Sequence, residues 1–458
     1  MNHRSASSKK GSSADPSGGG FKLQVAYSSM QTLVPNSSNP RNHKLKQIRQ
    51  IAESIKSFGF VFPIAIDHKN RIVCGHGRYA AAQLLGLSEI PTTRLEHLSD
   101  VQIRALAIAD NRLTEVSEWN DRLLAKELKA LSVIDLNFNL EVTGFDYPEI
   151  DLRIDKLELV NEEGADPADA LPPKDSGSQV TQLGDIWQLG RHRIICGNSL
   201  DPKLYEILLD NEEAGMIFTD PPYNVPIKGH VSGLGAHQHE NFAMACGEMD
   251  EAQFTDFLAR VFTLQARHSV EGSLHFVCMD WRHIGEINTA GKEVYSELKN
   301  ICVWVKNNAG MGSLYRSQHE LVFVFKHGRS AHQNNVQLGR FDRHRTNIWN
   351  YPGATSLGRS SDEGNLLALH PTVKPVALVA DAMLDCSSRG DIVLDTFLGS
   401  GSTLIAAERL GRRCRGFEID PLYIDTVIRR WQSFTGDDAR DQATGKLFRE
   451  VEMEKQNA

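Results

Sequence analysis

The chain has 458 residues, long enough for two or three domains. With 41% hydrophobic and 24% charged residues it reads as ordinary globular protein, which excludes a fibrous or wholly disordered chain. The net charge of −8 excludes a molecule that is basic throughout, so any nucleic-acid surface must be a local patch. The seven cysteines (74, 196, 246, 278, 302, 386 and 414) form no Cys-x-x-Cys pair, which points to a reducing compartment and away from structural zinc. No apolar run suits a membrane span, and the N-terminus lacks the apolar core of a signal peptide.

Residues 1–20 are rich in Ser and Gly, with Lys and Asn among the rest and little to bury, the composition of a disordered tail. Arg4, Lys9 and Lys10 there are compatible with phosphate contact or with a solvated tail. A first domain spans 21–150. Ile48, Ile51, Ala52, Ile55 and Phe58 recur at helical spacing, and Gly59 ends the helix. Pro63–Ile66 and Arg71–Cys74 read as short strands. Gly75-His-Gly-Arg78 then opens a helix that runs to Leu85. A glycine turn with one Arg at a helix N-terminus suits an anion (Gly75, Gly77, Arg78), and suits a purely structural turn equally well. Ser99–Glu115 and Asn120–Leu131 read as two further helices, a helical extension of this domain. Asn39-Pro-Arg41, Ala52-Glu-Ser-Ile55, Phe58-Gly59, Pro63-Ile64, Gly75-His-Gly-Arg78 and Leu85-Gly86 together resemble the ParB-like N-terminal domain. That family usually has Gly-Glu-Arg-Arg around a nucleotide triphosphate. Here the acid and the second Arg are missing, so the resemblance implies binding of an anion or a DNA phosphate more than nucleotide hydrolysis.

Residues 151–183 are rich in acids, Pro, Gly and Ala and read as a linker. A second domain occupies 184–458, starting at Gly184-Asp-Ile-Trp-Gln-Leu-Gly190, with a strand from His192 and a turn at Gly197-Asn198. Met216–Phe218 is a short buried strand that stops at Asp220-Pro221-Pro222-Tyr223, because two prolines cannot continue a central strand. One carboxylate, one carbonyl with no N–H beside it and one aromatic face thus come to a strand's C-terminal end, where open α/β sheets bind ligands. Asp220-Pro221-Pro222-Tyr223 resembles the motif of the amino-methyltransferases, which implies an exocyclic base amine, a poor nucleophile, as the target. Asp220 and the Pro221 carbonyl are two acceptors that could hold its N–H groups and stabilise the charge that develops. Tyr223 could stack on a base turned out of its duplex. Taken alone, the four residues also suit a proline turn with a capping Asp.

After Tyr223 a loop to Gly247 is rich in Gly and His, as a closing loop would be. Its His230, His237, His239 and Cys246 match no zinc spacing, and no metal is expected. Leu274–Met279, Ile301–Val305 and Glu320–Phe325 read as inner strands. Between 299 and 350 basic residues outnumber acids, with Lys306, Arg316, Arg329, Arg340, Arg343 and Arg345 as candidate DNA contacts and Tyr315, Phe341 and Trp349 interleaved. His370-Pro-Thr-Val-Lys-Pro375 opens a helix to about Cys386. A βαβ unit follows: strand Asp391–Asp395, turn Thr396-Phe-Leu-Gly-Ser-Gly-Ser-Thr403, helix to Leu410, and strand Cys414–Phe417 ending at Glu418. The turn is neither a Walker A loop nor a dinucleotide fingerprint.

Asp220-Pro-Pro-Tyr223 and Asp395-x-Phe397-x-Gly399-x-Gly401 together resemble the amino-methyltransferases of DNA, over 184 to about 435. The catalytic motif precedes the cofactor motif, which is the β-class order. The resemblance implies an α/β methyltransferase fold, a mostly parallel sheet with helices on both faces and one antiparallel edge. It implies S-adenosylmethionine as cofactor, held by Asp395, Phe397, Gly399, Ser400 and Gly401, with Glu418 on the ribose, Lys374 near the methionine carboxylate and Asn198 near the adenine. It further implies methylation of adenine N6 in double-stranded DNA, catalysed by Asp220, Pro221, Pro222 and Tyr223, in a bacterial or phage-encoded cytoplasmic enzyme of the restriction-modification kind, with a homodimer compatible. N4 of cytosine is the close alternative. A DNA-binding factor whose methyltransferase fold only senses cofactor is another, and RNA as substrate stays open.

Overall fold

The computed structural model describes residues 23–456, apart from 38, 133, 135–137, 160–166, 171–178, 226–246, 308, 310–313, 337–344 and 354–372. The expected tail (1–20), the four candidate metal ligands of the 224–247 loop, Arg340, Phe341 and Arg343, and the first residues of the 370–375 motif lie outside the described residues. The chain divides into two compact units, 1–146 and 147–458.

In the first unit a four-stranded sheet takes the order β1 (Val25–Ser29), β4 (Glu89–Arg94), β2 (Ile64–Ile66), β3 (Ile72–Cys74). Helices α1 (Leu45–Phe58) and α2 (His76–Leu84) belong to this unit, and Leu33, Ile64, Ile66, Ile72, Tyr79, Ala82 and Ile90 form its core. Gly59 caps α1 by donating to the Ile55 carbonyl at 2.9 Å. Helix α3 (Asp100–Glu115) starts at a capping box in which Ser99 and Gln102 satisfy each other's backbone N–H, and α4 (Asp121–Ser132) follows.

The second unit starts with α5 (Tyr147–Leu159), where the sequence reads as the start of a linker. Its acids are not all solvated: Asp151 is buried between Arg389 (2.6 Å) and Arg412 (2.7 Å), flanked by the buried Ile150 and Ile154. Further along the same segment, Val180 N–H and the Thr181 N–H and hydroxyl donate to Asp425. The expected linker is therefore tied to the second unit at both ends.

Ten strands form one sheet, in the order β11 (Ile348–Asn350), β9 (Glu297–Val305), β10 (His319–Lys326), β8 (Ser269–Met279), β7 (Ala214–Thr219), β12 (Ile392–Asp395), β13 (Arg413–Glu418), β6 (His192–Cys196), β5 (Ile186–Leu189), β14 (Arg440–Asp441). The centre, β8-β7-β12-β13-β6, is parallel throughout. Antiparallel pairs flank it on both sides, at β10 and at β5, where the sequence led us to expect one such edge. Alternate side chains of each strand face opposite layers. Met216 and Phe218 pack with α9 (Val376–Cys386), α10 (Ser402–Leu410) and α11 (Pro421–Thr435). On the other face Ile217 packs with α6 (Pro202–Leu209), while Val277 and Met279 pack with α7 (Glu251–Arg267) and α8 (Ile284–Val294). The unit closes with α12 (Phe448–Gln456).

Candidate active site

Two neighbouring parallel strands end side by side. In β7 and β12, Met216 pairs with Val393 and Ile217 with Leu394. From β7 the chain crosses to β8 on one side, and from β12 to β13 on the other. The two connections diverge at this point, and an open α/β sheet has its crevice there. Asp220 leaves the end of β7 and Asp395 ends β12. Thr219 links them, its hydroxyl donating to Asp395 Oδ1 at 3.0 Å.

Asp220 is the centre of a buried ionic cluster drawn from four parts of the chain. Tyr223 O–H donates to its Oδ1 at 2.6 Å, and the Lys374 ammonium donates to its Oδ2. Glu320, near the start of β10, lies 3.2 Å from Lys374 and 3.3 Å from the Tyr223 oxygen. Lys306, just past β9, donates to the other Glu320 oxygen and stands 4.5 Å over the Trp304 ring. Since β10 runs against its neighbours, its start and the ends of β7 and β9 share one edge of the sheet. Burial lifts the Asp220 carboxyl above its usual range, although Lys374 pulls the other way. Burial also pushes Glu320 up, but Lys374 and Lys306 outweigh it and hold that group down at about 2. Burial disfavours the Lys374 ammonium, yet Asp220 and Glu320 more than offset this and raise its pKa. Two carboxylates and two ammoniums leave the cluster neutral. Pro221 is buried beside them and Pro222 half-buried. Asn224 accepts from the Gly247 and Met249 N–H groups, which fixes the backbone just after the motif.

The glycine turn lies next to this cluster. Asp395 is buried and accepts from Phe397 N–H at 3.1 Å; burial raises its pKa to about 6. Gly399 N–H donates to Glu418 Oε2 at 2.9 Å, and Asp420 N–H donates to Oε1 at 3.0 Å. The Glu418 carboxyl is nonetheless pushed up to about 7 by burial. Gly401 has φ +82°, and a Cβ there would meet Val427 at 3.0 Å, so the tight turn needs glycine. Ser400 presents its carbonyl to Arg430 (2.8 Å), and Phe397 packs on Phe257. Asn198 uses its side-chain oxygen to hold Leu200 N–H in the turn after β6, while Gly197 N–H donates to the Glu418 carbonyl. The turns bearing Asn198 and Glu418 are thereby neighbours, and this surface can receive a nucleoside: glycines for close approach and a half-buried carboxylate for hydroxyl groups.

The basic stretch is put to other uses than its composition suggests. Lys306 belongs to the ionic cluster. Arg345 lies between Asp381 (3.1 Å) and Asp385 (3.2 Å) over Trp349, inside the fold. Arg329 follows the far end of β10, and its N–H holds Glu271 at the opposite edge of the sheet from Asp220. Arg316 stays exposed between β9 and β10 at the Asp220 edge, beside the exposed Tyr315. At the same edge, just past β8, Trp281 is half exposed with Arg282 stacked on it at 5.0 Å. That pair was missed in the sequence, although a Trp-Arg step after an apolar strand was visible, whereas Glu320 lies in Gln318-His-Glu320, residues that also occur in the methyltransferases. In the first unit, burial lowers the Arg78 pKa while Asp110 opposes this, and the guanidinium folds back over Gly75.

Comparison with known proteins matches three stretches of the chain to described families. Residues 214–429 match the family described as DNA methylase (N6/N4), 122–183 the ParB-methyltransferase HTH domain, and 21–112 the ParB N-terminal domain. The chain carries an N6/N4 DNA methylase domain, an N-terminal ParB domain and a ParB-methyltransferase HTH domain. It is 26% identical over 228 residues to the Type II methyltransferase M2.MboI of Moraxella bovis, covering 48% of this chain and 81% of the relative. Its N-terminal part is 42% identical over 81 residues to the ParB-like nuclease domain-containing protein YnaK of Escherichia coli, covering 18% of this chain and 93% of the relative. Among solved structures it is similar to TTHA0409, a putative DNA modification methylase from Thermus thermophilus in complex with S-adenosyl-L-methionine. That match has 23% identity and a TM-score of 0.36, and covers 53% of this chain and 93% of the other. No described helix of the chain is long and apolar enough to cross a membrane.

Proposed function

We propose that the chain methylates the exocyclic N6 amine of adenine in duplex DNA, with S-adenosylmethionine as methyl donor. The observation that carries this reading is the meeting of Asp220 and the Asp395–Gly401 turn at the ends of adjacent parallel strands, joined through Thr219. The residues fit the cofactor: Gly399 and Gly401 open the turn, Glu418 would take the ribose hydroxyls, and Asn198 sits on the neighbouring turn. When bound, the cofactor supplies an electrophilic methyl group on a sulfonium.

The protein's own task is to make a weak nucleophile reactive. Asp220 and the Pro221 carbonyl accept the two amine N–H groups and draw the nitrogen lone pair out of ring conjugation. Methylation of that nitrogen would leave one amine proton in excess, and Asp220 would accept it. Burial, which raises the Asp220 pKa, favours that last step. Tyr223 packs the base from beside Asp220. Trp281, Arg282, Tyr315 and Arg316 form the exposed aromatic and basic rim that faces the duplex.

The test is to incubate duplex DNA with the protein and labelled cofactor and to separate the nucleosides. Label in N6-methyladenine is the expected result. Label in N4-methylcytosine moves the substrate to cytosine, and tight DNA binding with no transfer refutes catalysis.

A further inference from the structure

Lys374 touches both motifs. Its carbonyl accepts the Ser402 hydroxyl at 2.7 Å, in the first turn of α10 directly behind the glycine turn. Its ammonium, on a side chain only 5% exposed, instead reaches Asp220 and Glu320. With Tyr223 on the other oxygen, both oxygens of Asp220 are held by donors. A neutral amine N–H is a weaker donor than an ammonium, so a base cannot take Lys374's place unaided. Lys374 therefore competes with an incoming amine for Oδ2 of Asp220.

We infer that Lys374 is a switching residue. It caps Asp220 in the empty protein, moves to the α-carboxylate of the cofactor when that anion enters, and so opens Asp220 to the target amine. This rests on the proposed function and adds an order to it, cofactor before base. The surroundings allow the move. Lysine's four-carbon stem is flexible. Glu320 keeps Lys306, and Asp220 keeps Tyr223, so neither acid is left without a donor. Lys374 here is a positioning residue: it sets when Asp220 is free and takes no part in the bond changes.

The consequence is competition: Asp220 and the cofactor carboxylate share one ammonium, so weakening one contact strengthens the other. S-adenosylhomocysteine, which has the carboxylate without the sulfonium charge, is the probe, measured by calorimetry on the full chain. Asp220→Asn should tighten its binding about fivefold or more, the low end of usual coupling. 5′-Methylthioadenosine, which lacks the amino-acid end, should bind both proteins alike. Lys374→Met should weaken S-adenosylhomocysteine about tenfold, and Asp220→Asn added to it should bring no gain. A gain that persists without Lys374 is simple charge repulsion and overturns the switch. Unchanged or weaker binding by Asp220→Asn overturns it too, as does an equal gain for methylthioadenosine. If Lys374→Met does not fold, Lys374→Gln, which keeps a polar end without the charge, takes its place in the same cycle. Failure of the wild-type chain to bind S-adenosylhomocysteine at all refutes the proposed function itself.

Discussion

Replacing Glu320 by Gln probes the ionic cluster on which the site depends. Asp220 and Glu320 balance Lys306 and Lys374, all in contact through one edge of the sheet. Gln keeps the shape and removes one negative charge, which leaves a buried surplus of one positive charge. Breaking a buried pair from one side costs about 3–5 kcal/mol. The low end, about 3 kcal/mol, applies here because Lys306 keeps 26% exposure and can turn toward water. Adding Lys306→Met restores neutrality, with Lys374 on Asp220 as before, so the double variant should lose only about 1 kcal/mol. Urea unfolding followed by tryptophan fluorescence reports this, since every Trp except Trp119 lies in the second unit. The midpoints should shift at unchanged slope. A Glu320→Gln protein as stable as wild type, or a double variant that loses the sum of the two singles, refutes the account of the cluster.

Gly401→Val should lower affinity for S-adenosylhomocysteine and cost about 1–2 kcal/mol of stability, because a side chain at φ +82° is strained and meets Val427; calorimetry and urea unfolding check the two effects. Glu418 carries a pKa raised to about 7 by burial, so its charged, accepting form grows as pH climbs through that value. Affinity for S-adenosylhomocysteine should therefore rise through about pH 7 and level off above it, and Glu418→Gln should flatten that profile. The same raised pKa means that the folded state holds the proton longer than the unfolded one. Without cofactor, this group's contribution to stability falls as pH rises from about 4.3 toward about 7. Asp151→Asn leaves Arg412, fully buried, without its counter-charge and should cost about 3–5 kcal/mol in the same unfolding assay.

The strands and turns that carry the chemistry were legible because local pattern dictates them. Met216–Phe218 is apolar and stops at two prolines. The run from Asp391 to Glu418 alternates strand, glycine turn and helix with no competing signal. The ionic cluster was not legible, because its members are far apart in the chain: Lys374 meets Asp220 across 154 residues. Glu320 is legible as one of the residues that also occur in the methyltransferases, but its pairing with Lys306 and Lys374 is not. Composition misled in two places. The acids near 151 read as solvated linker, yet Asp151 finds two arginines from the α9–β12 and α10–β13 turns. The basic residues of 299–350 read as one DNA surface, yet Lys306 and Arg345 pair with partly buried acids, and Arg329 stands at the far edge. Summed charge says how many ions a segment holds and not which of them are already paired.

The most direct test of amine activation is a single-turnover comparison of wild type and Asp220→Ala, on duplex DNA with labelled S-adenosylmethionine at saturation. The account predicts transfer by the wild type and a loss of at least about 10²–10³-fold in the variant, with S-adenosylhomocysteine still bound. Equal rates from the two proteins would contradict it.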